Sequence, residues 1–242
     1  MPRIVFALAL LGCSPVNVPV PVPVPAPDGV PAPAASPAPS AAARPAAATS
    51  TSPFSCTEVI GLTITAEWYS AGFELLVPDA QFQARTRPHT FVDQWADPAH
   101  AAWSEPVTSP CSEHSQAPER LALFAANWKL TTRDEWTKVL EAFVATAQQR
   151  YPGLRELDLF TVLRGPNNET CGDPKSVVDP MIDDAIASIA AAHPGLVHAA
   201  PKLEAPDCSV FEKGGPHFTE EGRRTIAQLL AKTLTPKQPP AF

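Results

Sequence analysis

Positive charge is scarce in this chain: 18 lysines and arginines stand against 25 aspartates and glutamates, for a net charge of −7 over 242 residues. No basic cluster interleaves with aromatics, which argues against nucleic acid as a partner, because a phosphate backbone is met by grouped Lys and Arg. Long hydrophobic runs are also missing. The apolar stretch Ile4 to Leu11 is too short to span a bilayer as a helix. Metal-ligand spacing is absent as well: the cysteines form no Cys-x-x-Cys and the histidines no His-x-x-x-His, so a metal is not expected. Glycine is thin, with 11 residues and none between Gly72 and Gly153.

Proline is abundant instead, 30 residues in all, many of them between Ser14 and Pro53 among Ala, Val, Ser and Thr. That segment has no periodic apolar face and favours polyproline II, so it reads as a semi-rigid spacer. At roughly 3.1 Å per residue, about 40 residues reach on the order of 100 Å. Ahead of it, Arg3 supplies a positive charge, Ile4 to Leu11 an apolar stretch, and Leu10-Leu11-Gly12-Cys13 its end. These residues resemble a bacterial lipobox. The resemblance implies cleavage before Cys13, lipidation of that thiol and anchoring in the cell envelope, at the outer membrane because Ser14 rather than Asp follows. The organisation expected is a lipoprotein signal over 1–13, a tether over 14–54, and one folded domain over 55–242, expected to be a monomer.

With Cys13 set aside, Cys56, Cys111, Cys171 and Cys208 remain. An even number in an exported domain suggests two disulfides, and spacing alone allows three pairings. Cys171 and Cys208 flank loops after the expected fourth and fifth strands, which favours Cys171–Cys208 and therefore Cys56–Cys111.

Strands and helices alternate along the domain. Thr57 to Ile60, Phe82 to Thr86, Arg120 to Asn127, Glu156 to Leu163 and Leu196 to Ala200 read as strands. Trp136, Val139, Leu140, Phe143 and Ala147 recur at helical spacing in a helix over Thr132 to Tyr151, stopped by Pro152 and Gly153. Val178, Met181, Ile182, Ala185, Ile186 and Ile189 mark a second helix, with Asp183 and Asp184 on its solvated side. A third runs from Arg223 to Leu234, with Thr219 as cap and Glu220 and Glu221 suited to its first turn. The fold class expected is α/β: a doubly wound three-layer α/β/α sandwich on a five-stranded parallel sheet.

Two segments carry the chemistry. Thr57 to Trp68 reads as a strand, a sharp turn at Gly61 and a helix; Gly214 to Gly222 places His217 just before the last helix. Together they resemble the SGNH (GDSL-like) hydrolase family, whose first strand ends in Gly-Asp-Ser-Ile-Thr and whose last motif is Asp-x-x-His-hydrophobic-Thr-x-x-Gly. Gly61, Ile64 and Thr65 fit the first motif, with Leu62 in place of the Asp and Thr63 in place of the nucleophilic Ser. His217, Phe218, Thr219 and Gly222 fit the last, with Gly214 in place of the Asp that orients the His. Asp207 and Glu212 are the nearest acids before His217. Ala125-Ala126-Asn127-Trp128 ends the third strand where the family carries Gly-x-Asn-Asp, so Asn127 stands at the oxyanion-hole position. The family's glycine N–H donor between strands two and three has no counterpart here.

The resemblance implies an SGNH/flavodoxin-like fold and a cofactor-free hydrolase of acyl or acetyl esters of carbohydrate or lipid. Thr63 would be its nucleophile, His217 its base and Asn127 its oxyanion donor. Gly61 at the turn, Asn167 and Asn168 in the loop after the fourth strand, and Trp68 as a stacking surface are the candidate ligand contacts. The alternative is a noncatalytic surface lipoprotein that binds glycan in the same crevice.

Overall fold

The structure, a computed structural model, describes residues 53–77, 81–111, 117–161, 163–168, 171 and 180–235. The expected signal, Cys13, nearly all of the tether, Val178 and the side chain of Asn168 lie outside the described residues. Five strands form one all-parallel sheet: β1 (Thr57–Gly61), β2 (Phe82–Thr86), β3 (Arg120–Ala125), β4 (Glu156–Thr161) and β5 (Val197–Ala199), in the order β2-β1-β3-β4-β5. The expected α/β class and strand count hold. Strand ends differ by a residue or two, because pairing stops where the neighbouring strand runs out.

The period-2 alternation of side chains divides the core between the two faces of the sheet. Ile60, Leu121, Leu123, Leu157, Leu159 and Val197 face one way, against Trp136, Leu140 and Phe143 of α4 (Arg133–Arg150) and Ile182, Ile186 and Ile189 of α5 (Pro180–Ala192). Val59, Phe82, Ala122, Phe124 and Phe160 face the other, against α1 (Thr63–Trp68), the wide turn Tyr69–Phe73 that continues it into α2 (Glu74–Leu76), and α6 (Glu220–Leu234). A short α3 (Val92–Trp95) completes the first layer. Thr132 caps α4 with Glu135 returning to its backbone N–H, and Thr219 caps α6 through Gly222 N.

Asp183 corrects the expectation of a solvated helix face. Its carboxylate meets Arg164 at 2.8 Å and Lys202 at 2.5 Å. Burial alone raises its pKa, but the bonds from Lys202 and Arg164 outweigh that and hold it below the usual range. The pair fastens α5 to the loop after β4.

Both disulfides are formed in the favoured pairing, Cys56–Cys111 and Cys171–Cys208. The first joins the entrance of β1 to the segment after β2. The second joins the loop after β4 to the short helical turn Cys208–Val210.

Candidate functional site

In this strand order, the chain leaves β2 at one side of β1 and returns as β3 on the other. The crevice of such a sheet opens at the carboxyl ends of β1 and β3. Three connections meet there. β1 passes through Gly61 and the extended Leu62 straight into α1, whose first residue is Thr63. The turn needs glycine: a Cβ on Gly61 would lie 2.8 Å from Cβ of Thr65. The loop after β2 carries Phe91, and Val92 N donates to the Ala126 carbonyl at 3.1 Å, joining it to the loop after β3. Asn127 adds a side-chain tie, its Nδ2 donating to Asp93 Oδ1 at 2.8 Å while its Oδ1 accepts from Lys129 N at 2.9 Å.

His217 is held from α1. His217 Nδ1 lies 2.6 Å from Glu67 Oε1, and the other carboxylate oxygen accepts from Phe218 N at 3.1 Å, with Arg223 Nε 3.7 Å away. A carboxylate only accepts, so Nδ1 carries the hydrogen and Nε2 of the neutral ring keeps its lone pair. Glu67 is only 12% exposed at its side chain and His217 is 45% exposed, so the acid is enclosed while the imidazole reaches solvent. The loop is braced on its far side by Glu212 N donating to the His217 carbonyl at 2.8 Å and by Thr219 N donating to Val210 O at 2.9 Å.

These contacts identify the carboxylate beside His217, which the sequence leaves open. Neither Asp207 nor Glu212 orients the imidazole: Asp207 caps its own turn through Ser209, and the Glu212 carboxylate lies 3.9 Å from Arg223. Gly214, at the motif's Asp position, has φ +81°, where a side chain is strained. The carboxylate that meets the imidazole belongs to Glu67, four residues after Thr63. Spacing of i, i+4 puts both on one face of α1, with Cβ atoms about 5–6 Å apart. Sequence reading missed this residue, although that spacing was its signal.

The other candidates divide. Thr63 is half-buried and makes no hydrogen bond to His217 among the described residues. Asn127 is 5% exposed at the mouth of the crevice. Gly61 is buried and shapes the turn rather than presenting a surface. Trp68 is corrected outright: it is 2% exposed and packs on Phe73 and Phe124, so its ring has no open face for a sugar. Asn167 is exposed in a short helical turn (Pro166–Asn168) with φ 53°. Among the described residues the large exposed aromatic is instead Trp128, next to Asn127.

Gly222 is the second glycine that the site requires. A Cβ there would meet the backbone of Val210, 2.7 Å from its carbonyl carbon. Gly222→Ala is therefore expected to cost about 1–3 kcal/mol by overpacking and to displace the His217 loop. Thermal unfolding and the exchange-broadening of His217 ring signals would register both, and an unperturbed His217 spectrum would contradict the second.

No protein-family model matches the sequence, and no curated protein does. Among solved structures, the chain is similar to the C-terminal catalytic domain of Streptococcus pneumoniae peptidoglycan O-acetyltransferase A, carrying a methylsulfonyl adduct. The identity is 10%, the match covers 74% of this chain and 92% of that one, and the TM-score is 0.45.

Proposed function

We propose that this domain is a divergent SGNH-type hydrolase of acyl or acetyl esters of carbohydrate or lipid, with Thr63 as nucleophile, His217 as base and Glu67 as the acid that orients it. The carrying observation is the 2.6 Å contact between His217 Nδ1 and Glu67 Oε1. It supplies, from a different backbone position, the third group that a hydroxyl nucleophile needs. In this reading Nε2 of His217 takes the Thr63 proton, directly or through one water, as Oγ1 bonds to the ester carbonyl carbon. One amide hydrogen of Asn127 is held by Asp93, and the second donates to the developing oxyanion. Collapse breaks the ester C–O bond, the alcohol leaves with the proton from His217, and water repeats the sequence to free Thr63 and the acid. The lipobox and Pro-rich tether extend the proposal to an envelope-anchored enzyme, lipidated at Cys13.

A noncatalytic glycan-binding role on the same crevice is the second reading, favoured by the missing hydrogen bond between Thr63 and His217. Covalent labelling separates the two. Phenylmethylsulfonyl fluoride is expected to leave its sulfonyl group on Thr63, seen by peptide mass mapping, and to stop hydrolysis of short p-nitrophenyl esters. Thr63→Ala should abolish both signals. Unlabelled Thr63, together with ester turnover indifferent to Thr63→Ala, would remove the catalytic reading and leave the binding one.

A further inference from the structure

Of the five tryptophans, Trp68, Trp95, Trp103 and Trp136 are buried and Trp128 is 67% exposed. Leaving so large an apolar ring in water forfeits much of the burial energy that aromatics bring to a core. The ring is nonetheless held in place. Phe91 meets it edge-on, with centroids 6.3 Å apart and planes at 86°, and Lys129 Nζ sits 5.4 Å from its centroid. The backbone beneath is a closed turn, with Leu130 N donating to the Asn127 carbonyl at 3.3 Å and Lys129 N to the Asn127 side chain.

Its surroundings narrow the ligand. The other large apolar side chains exposed among the described residues, Leu75 and Leu76, belong to α2 on the opposite layer, so Trp128 is not part of an apolar patch. A protein partner is met by a cluster of apolar anchors inside a polar rim. Here one flat ring has the Lys129 ammonium over it, and the Asp93 carboxylate is reached from its chain neighbour Asn127 by one hydrogen bond. A flat apolar face with charged hydrogen-bonding groups nearby matches a pyranose whose substituents are all equatorial: C–H bonds on the face, hydroxyls around the rim.

We propose that Trp128, steadied by Phe91 and Lys129, is a stacking subsite for a pyranose ring of a β-linked glycan. The subsite lies beside the end of β1, because the loops after β2 and β3 that carry Phe91 and Trp128 flank that strand and are tied together through Val92 and Ala126. It deepens the esterase reading by making the ester's alcohol half a sugar, and rests on that reading for this link alone.

Tryptophan emission tests it on the full chain, since Trp128 is the solvent-exposed indole. Cellohexaose and chitohexaose are the probes. At least one should shift the emission to the blue saturably and shield it from iodide quenching, in wild type and in Thr63→Ala alike. Trp128→Ala should weaken binding of that hexasaccharide at least tenfold by calorimetry and keep the wild-type melting temperature. Trp128→Tyr should recover part of the affinity. Absence of a saturable response to either sugar, or a response that survives in Trp128→Ala, overturns the subsite whatever the ester assays give. Binding in a protein that hydrolyses no ester upholds the subsite and overturns the esterase reading.

Discussion

Glu67→Gln is expected to lower kcat for ester hydrolysis by on the order of 10^3 to 10^4, the scale on which losing the acid of a hydroxyl–imidazole–carboxylate set acts. The amide keeps the size of the carboxylate, so loop and helix stay packed and KM should change little. Its charge is lost, however, and with it the stabilisation of the imidazolium that forms as Thr63 gives up its proton. The amide also places a donor among donors. Phe218 N and His217 Nδ1 both point hydrogens at residue 67, and one carbonyl oxygen cannot serve both as two carboxylate oxygens do. The ring can then turn to its other tautomer, with the proton on Nε2 where a lone pair is needed. Kinetics on p-nitrophenyl acetate beside a melting curve checks this. A kcat within a few-fold of wild type, in a folded protein, would show that Glu67 is a structural anchor and not the acid. Glu67→Gln with Thr63→Ala should be no slower than Thr63→Ala alone, because members of one catalytic set fail together.

The sheet was legible because its signals are local. Alternating strands and helices, the apolar spacing of Trp136, Leu140 and Phe143, and the stops at Pro152 and Pro194 each act within one element, and together they leave few topologies. The positions of His217 and Asn127 at the crevice were legible for a related reason: each sits at the end of an element that its neighbours define. The contact of Glu67 with His217 was not, because a motif reading looks for a carboxylate beside the histidine, at Gly214. The partner lies 150 residues away in sequence and is brought in by packing of α1 against α6. Trp68 failed in the other direction. Position on the first turn after Thr63 suggested a surface, but the indole follows the inward face of α1, where Phe73 and Phe124 bury it. Sequence spacing placed the residues near the crevice and said nothing of which way each pointed.

Removing the two disulfides should have unequal consequences for chemistry and nearly equal ones for stability. The bridges close 55 and 37 residues, and each is expected to stabilise the domain by roughly 3–4 kcal/mol through the chain entropy it removes from the unfolded state. Cys56→Ala with Cys111→Ala cuts the tie at the entrance of β1, where the Cys56 carbonyl accepts from Glu119 and Arg120 N–H groups and Cys111 N donates to Gln83. That is the amino-terminal edge of the sheet, away from the crevice. Its loss should lower the urea midpoint and leave kcat/KM of the folded fraction near wild type. Cys171→Ala with Cys208→Ala acts at the other edge. Cys208 begins the turn that ends in Val210, whose carbonyl holds Thr219 N and packs on Gly222, and Phe211 pairs with Phe218 next to His217. Freed of its bridge, that turn should let the His217 loop move relative to Glu67, lowering kcat/KM at least tenfold as well as lowering the midpoint. Equal activity in the two double variants, measured well below their unfolding midpoints, would mean that the contacts from Val210 to Gly222 hold the loop without the bridge.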